Sequence, residues 1–402
     1  MRRGAVRQEP VATWHKIGAV AVGLLAGYVI GGALMETTDM FMSTPVSAPV
    51  TLGGNGATTQ SAASTKPAGD TIHSMITSSG SPYQNFQGRI MYGTYKIVQR
   101  MPGGEKLTGF TRILHRTKPD ELMDEIPTFR ANPLHPQCDE WCDFPVADRP
   151  NAVAQWIAAA ATNPGMIKGA WVLLLECDYV WMKPVAAPDA YDAKMTGFQF
   201  MFDYIMPDHP DAAPLMTKLS DGRVPPEAIP RSGPAPVMIR YTDLAGVVPE
   251  WERVTAKIEA DPVAVKVLDW VREMYAWDIA LALRNVTLVT ESPPKSRLIA
   301  QPPHDLVMGE AAMCHYTWGA LYYDDPPTKK HEIWRWEKRD YTSREVALKV
   351  PMLPMPPKEW KDGWVIQDGL PVTRELHQTL TAMIGRMNEA IVTLPDLSHK
   401  AV

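Results

Sequence analysis

Glu176 and Asp178 are spaced i, i+2 at the end of the run Ala-Trp-Val-Leu-Leu-Leu, residues 170–175. The run suits a buried strand, and in open α/β sheets ligands sit outside the carboxyl ends of strands. Two carboxylates at such an edge can hold a divalent cation, and a cation there can hold a diphosphate. The same letters also describe a strand running into an ordinary acidic turn. Arg112 and His115 close a second strand-like run at 109–115, where they can meet a nucleotide or its phosphates or form a surface salt bridge.

Elements must bring such groups together. Residues 71–77, 109–114 and 170–176 read as strands, and 87–100 and 151–161 as helices. That alternation predicts an α/β layer fold with a mostly parallel sheet. Asp261-Pro262 then starts a long helix to about Asn285, with Asp261 as N-cap and Pro at the first helical position. On it Asp278 shares the apolar stripe of Val267, Val271, Met274 and Leu281, so a buried acid with a partner is expected. Glu273 falls off the stripe and reads, by itself, as a solvated acid. A last helix spans about 372–392, and no second core is expected.

The chain has 402 residues, 45% hydrophobic and 21% charged, enough for a large core. Its net charge of −5 offers no basic field for nucleic acid. The 13 tryptophans gather late (Trp318, Trp334, Trp336, Trp360, Trp364), which suggests aromatic packing for most.

The beginning is of another kind. A basic stretch, 1–16, precedes an uncharged run at 17–35. As a helix those residues span about 28 Å, near the roughly 30 Å of a bilayer core. The positive flank keeps the N-terminus cytosolic, giving a signal anchor; a cleaved signal peptide is the competing reading. Residues 36–68 are rich in Ser, Thr, Ala, Gly and Pro and read as a flexible stem. The expected globular domain, 69–402, is then lumenal, in a single-pass type II protein of the secretory pathway. Cys138, Cys142, Cys177 and Cys314 would meet an oxidising lumen, where three pairings of the four are open. Zinc finger spacing is lacking. Asn285-Val286-Thr287 is an N-glycosylation sequon.

Several blocks carry a resemblance: Arg-Ile-Met-Tyr at 89–92, Gly-Phe-Thr-Arg-Ile-Leu-His at 109–115 and Leu-Met-Asp-Glu-Ile-Pro-Thr-Phe at 122–129. Glu-Met-Tyr-Ala-Trp at 273–277, Gln-Pro-Pro-His-Asp-Leu at 301–306, His-Tyr-Thr-Trp-Gly at 315–319 and Ile-Trp-Arg-Trp-Glu-Lys-Arg at 333–339 follow. Over about 71–394 the chain resembles the hydroxyproline O-arabinosyltransferase family of plants and green algae. Peptidyl-serine galactosyltransferases share some of these blocks.

The resemblance implies a GT-A-like domain that transfers L-arabinofuranose from UDP-β-L-arabinofuranose to hydroxyproline of extensins and related cell-wall glycoproteins. It also implies a Golgi membrane location and a divalent cation, usually Mn²⁺. The anomer would be retained, by double displacement or front-face attack. In that frame Glu176, Asp178 and His315 are the expected cation ligands. Arg112, His115, His304 and Asp305 are expected at the UDP-sugar donor, and Trp277, Tyr316 and Trp318 at the hydroxyproline-rich peptide. Asp278 and Glu273 are candidates to stabilise positive charge at the anomeric carbon. The family's Glu-Pro-Asp-His becomes Glu176-Cys177-Asp178-Tyr179, its Gln-Pro-Pro-Trp carries His304, and a cysteine of the first helix becomes Gly88. These departures leave two alternatives: a peptidyl-serine galactosyltransferase or other nucleotide-sugar transferase, and a catalytically weak Golgi scaffold or acceptor-binding homologue.

Overall fold

Short apolar strands joined by helices assemble here into a layered sheet, as their alternation requires. The computed structural model describes residues 69–400, apart from Trp141 and Ala193. The expected tail, anchor (17–35) and stem (36–68) lie outside them. Among the described residues no helix is long and apolar enough to cross a membrane.

The strands in chain order are β1 (Ile72–Ser78), β2 (Leu107–His115), β3 (Thr128–Ala131), β4 (Trp171–Leu175), β5 (Tyr179–Trp181), β6 (Gly197–Phe200) and β7 (Val237–Arg240). Then come β8 (Val289–Glu291), β9 (Ile299–Ala300), β10 (Met313–His315), β11 (Ala320–Tyr323), β12 (Glu332–Trp336) and β13 (Val365–Ile366). The main sheet has the order β3-β2-β1-β4-β7-β6-β8. Strands β3, β2, β1 and β4 are parallel, β7 is antiparallel to both β4 and β6, and β8 is parallel to β6. The sheet is therefore mostly parallel, within an α/β fold.

The chain steps outward from β1 through β2 to β3. The helix Arg149–Thr162 then returns it to β4, on the other side of β1. This reversal opens a crevice at the carboxyl ends of β1 and β4, where open α/β sheets bind ligands. Burial of all five residues of β4 and all seven of β1 fixes the register of that edge.

The first helix, Pro82–Gln99, is capped by Ser81, whose hydroxyl accepts from the Gln84 N–H. The expected long helix after Asp261 is instead two. Asp261 does cap Pro262–Leu268 by accepting from the Val263 N–H at 3.0 Å. Asp269 then takes a left-handed φ of 45°, which ends that helix, and a second runs Arg272–Leu283. The break resets the helical phase and turns Glu273 inward, so it is buried rather than solvated.

A second core also departs from expectation. The late tryptophans Trp334, Trp336 and Trp364 pack with Phe86, Tyr316 and Tyr322 and with the helix Arg374–Ile391. Cys138 and Cys142 form a disulfide, and Cys177 and Cys314 are buried free thiols.

Candidate active site

Leu175 ends β4, and the chain turns through Glu176 and Asp178 into β5. That strand pairs antiparallel with β10, and Tyr179 faces His315 in register. The pairing delivers His315 to the two carboxylates. Its Nε2 lies 3.3 Å from Asp178 Oδ2 and 3.9 Å from Glu176 Oε2. One ligand atom from each of the three lies within 4.8 Å of the others. Oxygen and nitrogen atoms about 2.1 Å from one cation stand roughly 3–4 Å apart, so the observed separations fit a shared ion. Two hard carboxylates and an imidazole suit Mn²⁺ or a similar divalent cation.

The surroundings orient this set. The Tyr179 ring meets the His315 ring edge-on at 4.6 Å between centroids. The Thr317 hydroxyl lies 3.1 Å from the imidazole nitrogens and donates to Gln301 Oε1, also at 3.1 Å. Lys338 donates to Asp178 Oδ2 at 2.6 Å. Burial alone would raise the Asp178 pKa. The Lys338 ammonium and His315 outweigh it and hold the carboxyl well below the usual range. Asp178 is thus an anion at any working pH.

Arg149 makes a second junction. Its guanidinium donates to Glu176 Oε1 at 2.8 Å, Thr77 Oγ1 at 3.0 Å and Glu273 Oε2 at 3.4 Å. Arg149 opens the helix after β3 and Thr77 lies near the end of β1, so helix start and strand end meet around Glu176. Glu273 is buried, and its Oε1 has no hydrogen-bond partner among the described residues. Burial pushes its pKa up to about 7, against the pull of Arg149 and with help from the charge of Glu176.

The sequence outside this geometry decides the family. A family described as "Hydroxyproline O-arabinosyltransferase family N-terminal domain" matches residues 72–290, more than half of the chain. The chain belongs to the hydroxyproline O-arabinosyltransferase family. Hydroxyproline O-arabinosyltransferase 1 of Arabidopsis thaliana is 32% identical over 330 residues, covering 81% of this chain and 80% of that one. The NOD3 enzyme of Pisum sativum is 32% identical over 291 residues, 70% of this chain and 82% of its own. The PLENTY enzyme of Lotus japonicus is 30% identical over 327 residues, 81% of each chain. Among solved structures, the galactosyltransferase LgtC with donor and acceptor sugar analogues aligns at TM-score 0.36 and 11% identity. That alignment covers 70% of this chain and 97% of LgtC, and nothing is built on so low a score. Within this family member Glu176, Asp178, Arg149 and Glu273 fall inside the matched domain, while His315 and Lys338 come from beyond its end.

The remaining expected site residues divide. Arg112 is not free for a donor. It is buried, donates to both oxygens of Asp120 at 2.5 and 2.7 Å, and reaches Asn85 and Thr128 at 3.3 and 3.1 Å. With its donors satisfied internally, it ties β2 to β3 and to the first helix. Arg112→Met should therefore cost about 3–5 kcal/mol by stranding the buried Asp120. Urea unfolding checks this; unchanged stability with a tenfold higher donor KM would restore the donor role.

His115 stands at the carboxyl end of β2 but is covered, 3.9 Å from Asp148, and burial pushes it down to about 4. Trp277 is wholly buried edge-to-face against Trp251, and Tyr316 is buried against Trp336, so neither ring can line an acceptor groove. Asp278 is buried too. Its Oδ2 accepts from the Ser232 N–H at 2.9 Å, and the Ser232 hydroxyl donates to the Phe200 carbonyl at 2.8 Å. Burial raises its pKa well above the ordinary value. Asp278 thus braces the end of β6 rather than joining the cation cluster.

Asp305 accepts from the Gln301 N–H at 2.6 Å, and so shapes the turn that presents Gln301 to Thr317. His304 is exposed and meets the half-buried Trp318 at 4.4 Å between centroids. Asn285 is exposed at the end of its helix, with a φ of 53°. Lys338 and Arg149 were not anticipated. Lys338 was visible only as one letter of the 333–339 block, and Arg149 only as the residue before a helix-opening proline.

Proposed function

We propose that this protein transfers L-arabinofuranose from UDP-β-L-arabinofuranose to peptidyl hydroxyproline, on a GT-A-like domain. The observation that carries the reading is the Glu176–Asp178–His315 cluster at the sheet's switch point, in a chain of this family. The relatives' names supply the sugar and the acceptor.

In the reaction the bond between the anomeric carbon and the β-phosphate oxygen breaks. A bond from that carbon to the hydroxyproline oxygen forms, and the hydroxyl proton leaves to a base. A divalent cation, Mn²⁺ in our reading, would be held by Glu176, Asp178 and His315 and would neutralise charge on the departing diphosphate. Thr317 and Gln301 keep the imidazole oriented. Lys338 keeps Asp178 ionised and adds positive charge on the diphosphate side. Arg149 holds Glu176 in place. Glu273, charged above its pKa, lies one guanidinium away from Glu176 and supplies negative potential against the developing oxocarbenium charge.

The acceptors would be hydroxyproline-rich cell-wall glycoproteins such as extensins. We place the domain in the Golgi lumen, anchored by residues 17–35 as a single-pass type II protein. The support is the basic flank and uncharged run of the sequence. Tyr179, where the family has His, sets a phenol against His315, with its hydroxyl buried and without a partner among the described residues. This observation favours a second reading, a changed nucleotide-sugar donor.

One assay tests both. Purified protein with Mn²⁺ is given a hydroxyproline peptide or a serine peptide, with UDP-arabinofuranose or UDP-galactose. Arabinosylated hydroxyproline is the expected product. Transfer only to serine, or only of galactose, would overturn the leading reading.

A further inference from the structure

The edge that carries the cation cluster also exposes aromatic surface that neither the cluster nor the core uses. Strand β6 is parallel to β4, since both are antiparallel to β7 between them. Tyr204, four residues beyond β6, therefore emerges at the same edge as Glu176. Two strand spacings separate β6 from β4, about 10 Å. Tyr204 is 41% exposed, with its ring against the buried Phe202 at 5.3 Å. Crowding around its hydroxyl and then the charges of Glu176 and Asp178 raise its pKa.

Another wall comes from the segment after β10. Trp318 is three residues from His315 and packs against exposed His304. Thr317 between them is bonded to both His315 and Gln301. The negative charge of Asp203, next to Tyr204, acts on Asp305, next to His304, so the two turns lie close together. Between the walls the Glu176 side chain remains 34% exposed.

We infer that Tyr204 on one side, and His304 with Trp318 on the other, form the acceptor cleft for a polyproline II segment carrying hydroxyproline. This rests on the proposed arabinosyl transfer and names its peptide subsite. A polyproline II chain has three residues per turn and rises about 3.1 Å per residue, so rings i and i+3 project from one face about 9 Å apart. Such a stiff, pre-ordered chain binds aromatic-lined grooves with little ordering cost. The diphosphate of a donor belongs deeper, where Asp178 and Lys338 are nearly buried. Open aromatic walls suit the longer ligand.

The test uses the full chain in detergent. Binding of a fluorescent hydroxyproline octapeptide is followed by anisotropy without donor, and peptide and donor KM are measured separately. Tyr204→Ala and Trp318→Ala should each weaken peptide binding and raise peptide KM about tenfold, the scale of one lost ring contact. Tyr204→Phe should stay within about twofold of wild type, as should the donor KM of every variant. A single hydroxyproline flanked by Gly and Ser should lose most of this sensitivity. A tenfold rise in donor KM with unchanged peptide binding would assign the rings to the donor sugar and overturn the proposal. Unchanged peptide binding and KM in both alanine variants would overturn it too. If wild type binds the peptide through these rings but transfers no arabinose, the cleft stands and the transfer reading falls.

Discussion

Asp178→Asn should lower transfer by at least about a thousandfold and, in the same protein, lower stability by about 3–5 kcal/mol. Three decades of rate correspond to about 4 kcal/mol of transition-state stabilisation, a reasonable share for a cation facing a diphosphate leaving group. Stability falls because Asp178 is also the counter-ion of a buried lysine. Lys338 lies 2.6 Å from Asp178 Oδ2, and both side chains are about one-tenth exposed. Removing one member of such a pair strands the other. Adding Lys338→Met to Asp178→Asn should thus recover most of the lost stability while transfer stays abolished. Urea unfolding and turnover on one set of preparations decide it. A double variant as unstable as the single would show that Lys338 is not the stranded group. An active Asp178→Asn would remove Asp178 from the cation site.

Glu176, Asp178 and His315 were legible together for two reasons. The acids mark a strand end within three residues, and His315 sits in a block whose neighbours carry the family likeness. Lys338 obeyed neither rule. It lies 160 residues from Asp178, and only the folding of β11 and β12 into the second core returns it there. Arg112 was misread because an arginine near a strand end looks the same whether its partner is a phosphate or Asp120. Trp277 and Asp278 sit on a helix that is buried around most of its circumference, so neither the aromatic nor the acid could be assigned to a cleft from its letter. Exposure, which separates Tyr204 and Trp318 from Trp277 and Tyr316, is a property of packing and has no local signature. The helical count failed at Glu273 for a sharper reason, since it was carried across the left-handed break at Asp269.

That reorientation of Glu273 has a measurable result, a pH limb in catalysis. Transfer by wild type should rise with pH up to about 7 and level off above it, whereas Glu273→Gln should be about a hundredfold slower and lose that limb. The carboxyl is buried, with Arg149 at 3.4 Å its one close partner, and its pKa stands at about 7 instead of 4.5. Its negative charge, which the developing positive charge on the sugar requires, is therefore filled in only as pH passes 7. The linkage runs the other way for stability. Between 4.5 and 7 the folded chain holds a proton that the unfolded chain has lost. This contribution is complete below 4.5 and lost as pH rises through 7, by up to about 3 kcal/mol. Glu273→Gln cannot titrate, so it should abolish that decline. Activity rising and stability falling across one window, both removed by one substitution, distinguish a buried carboxyl near the reaction from a solvated one. A wild-type rate that is flat from pH 5.5 to 8, or a limb that survives in Glu273→Gln, would return Glu273 to a purely structural role as the counter-charge of Arg149.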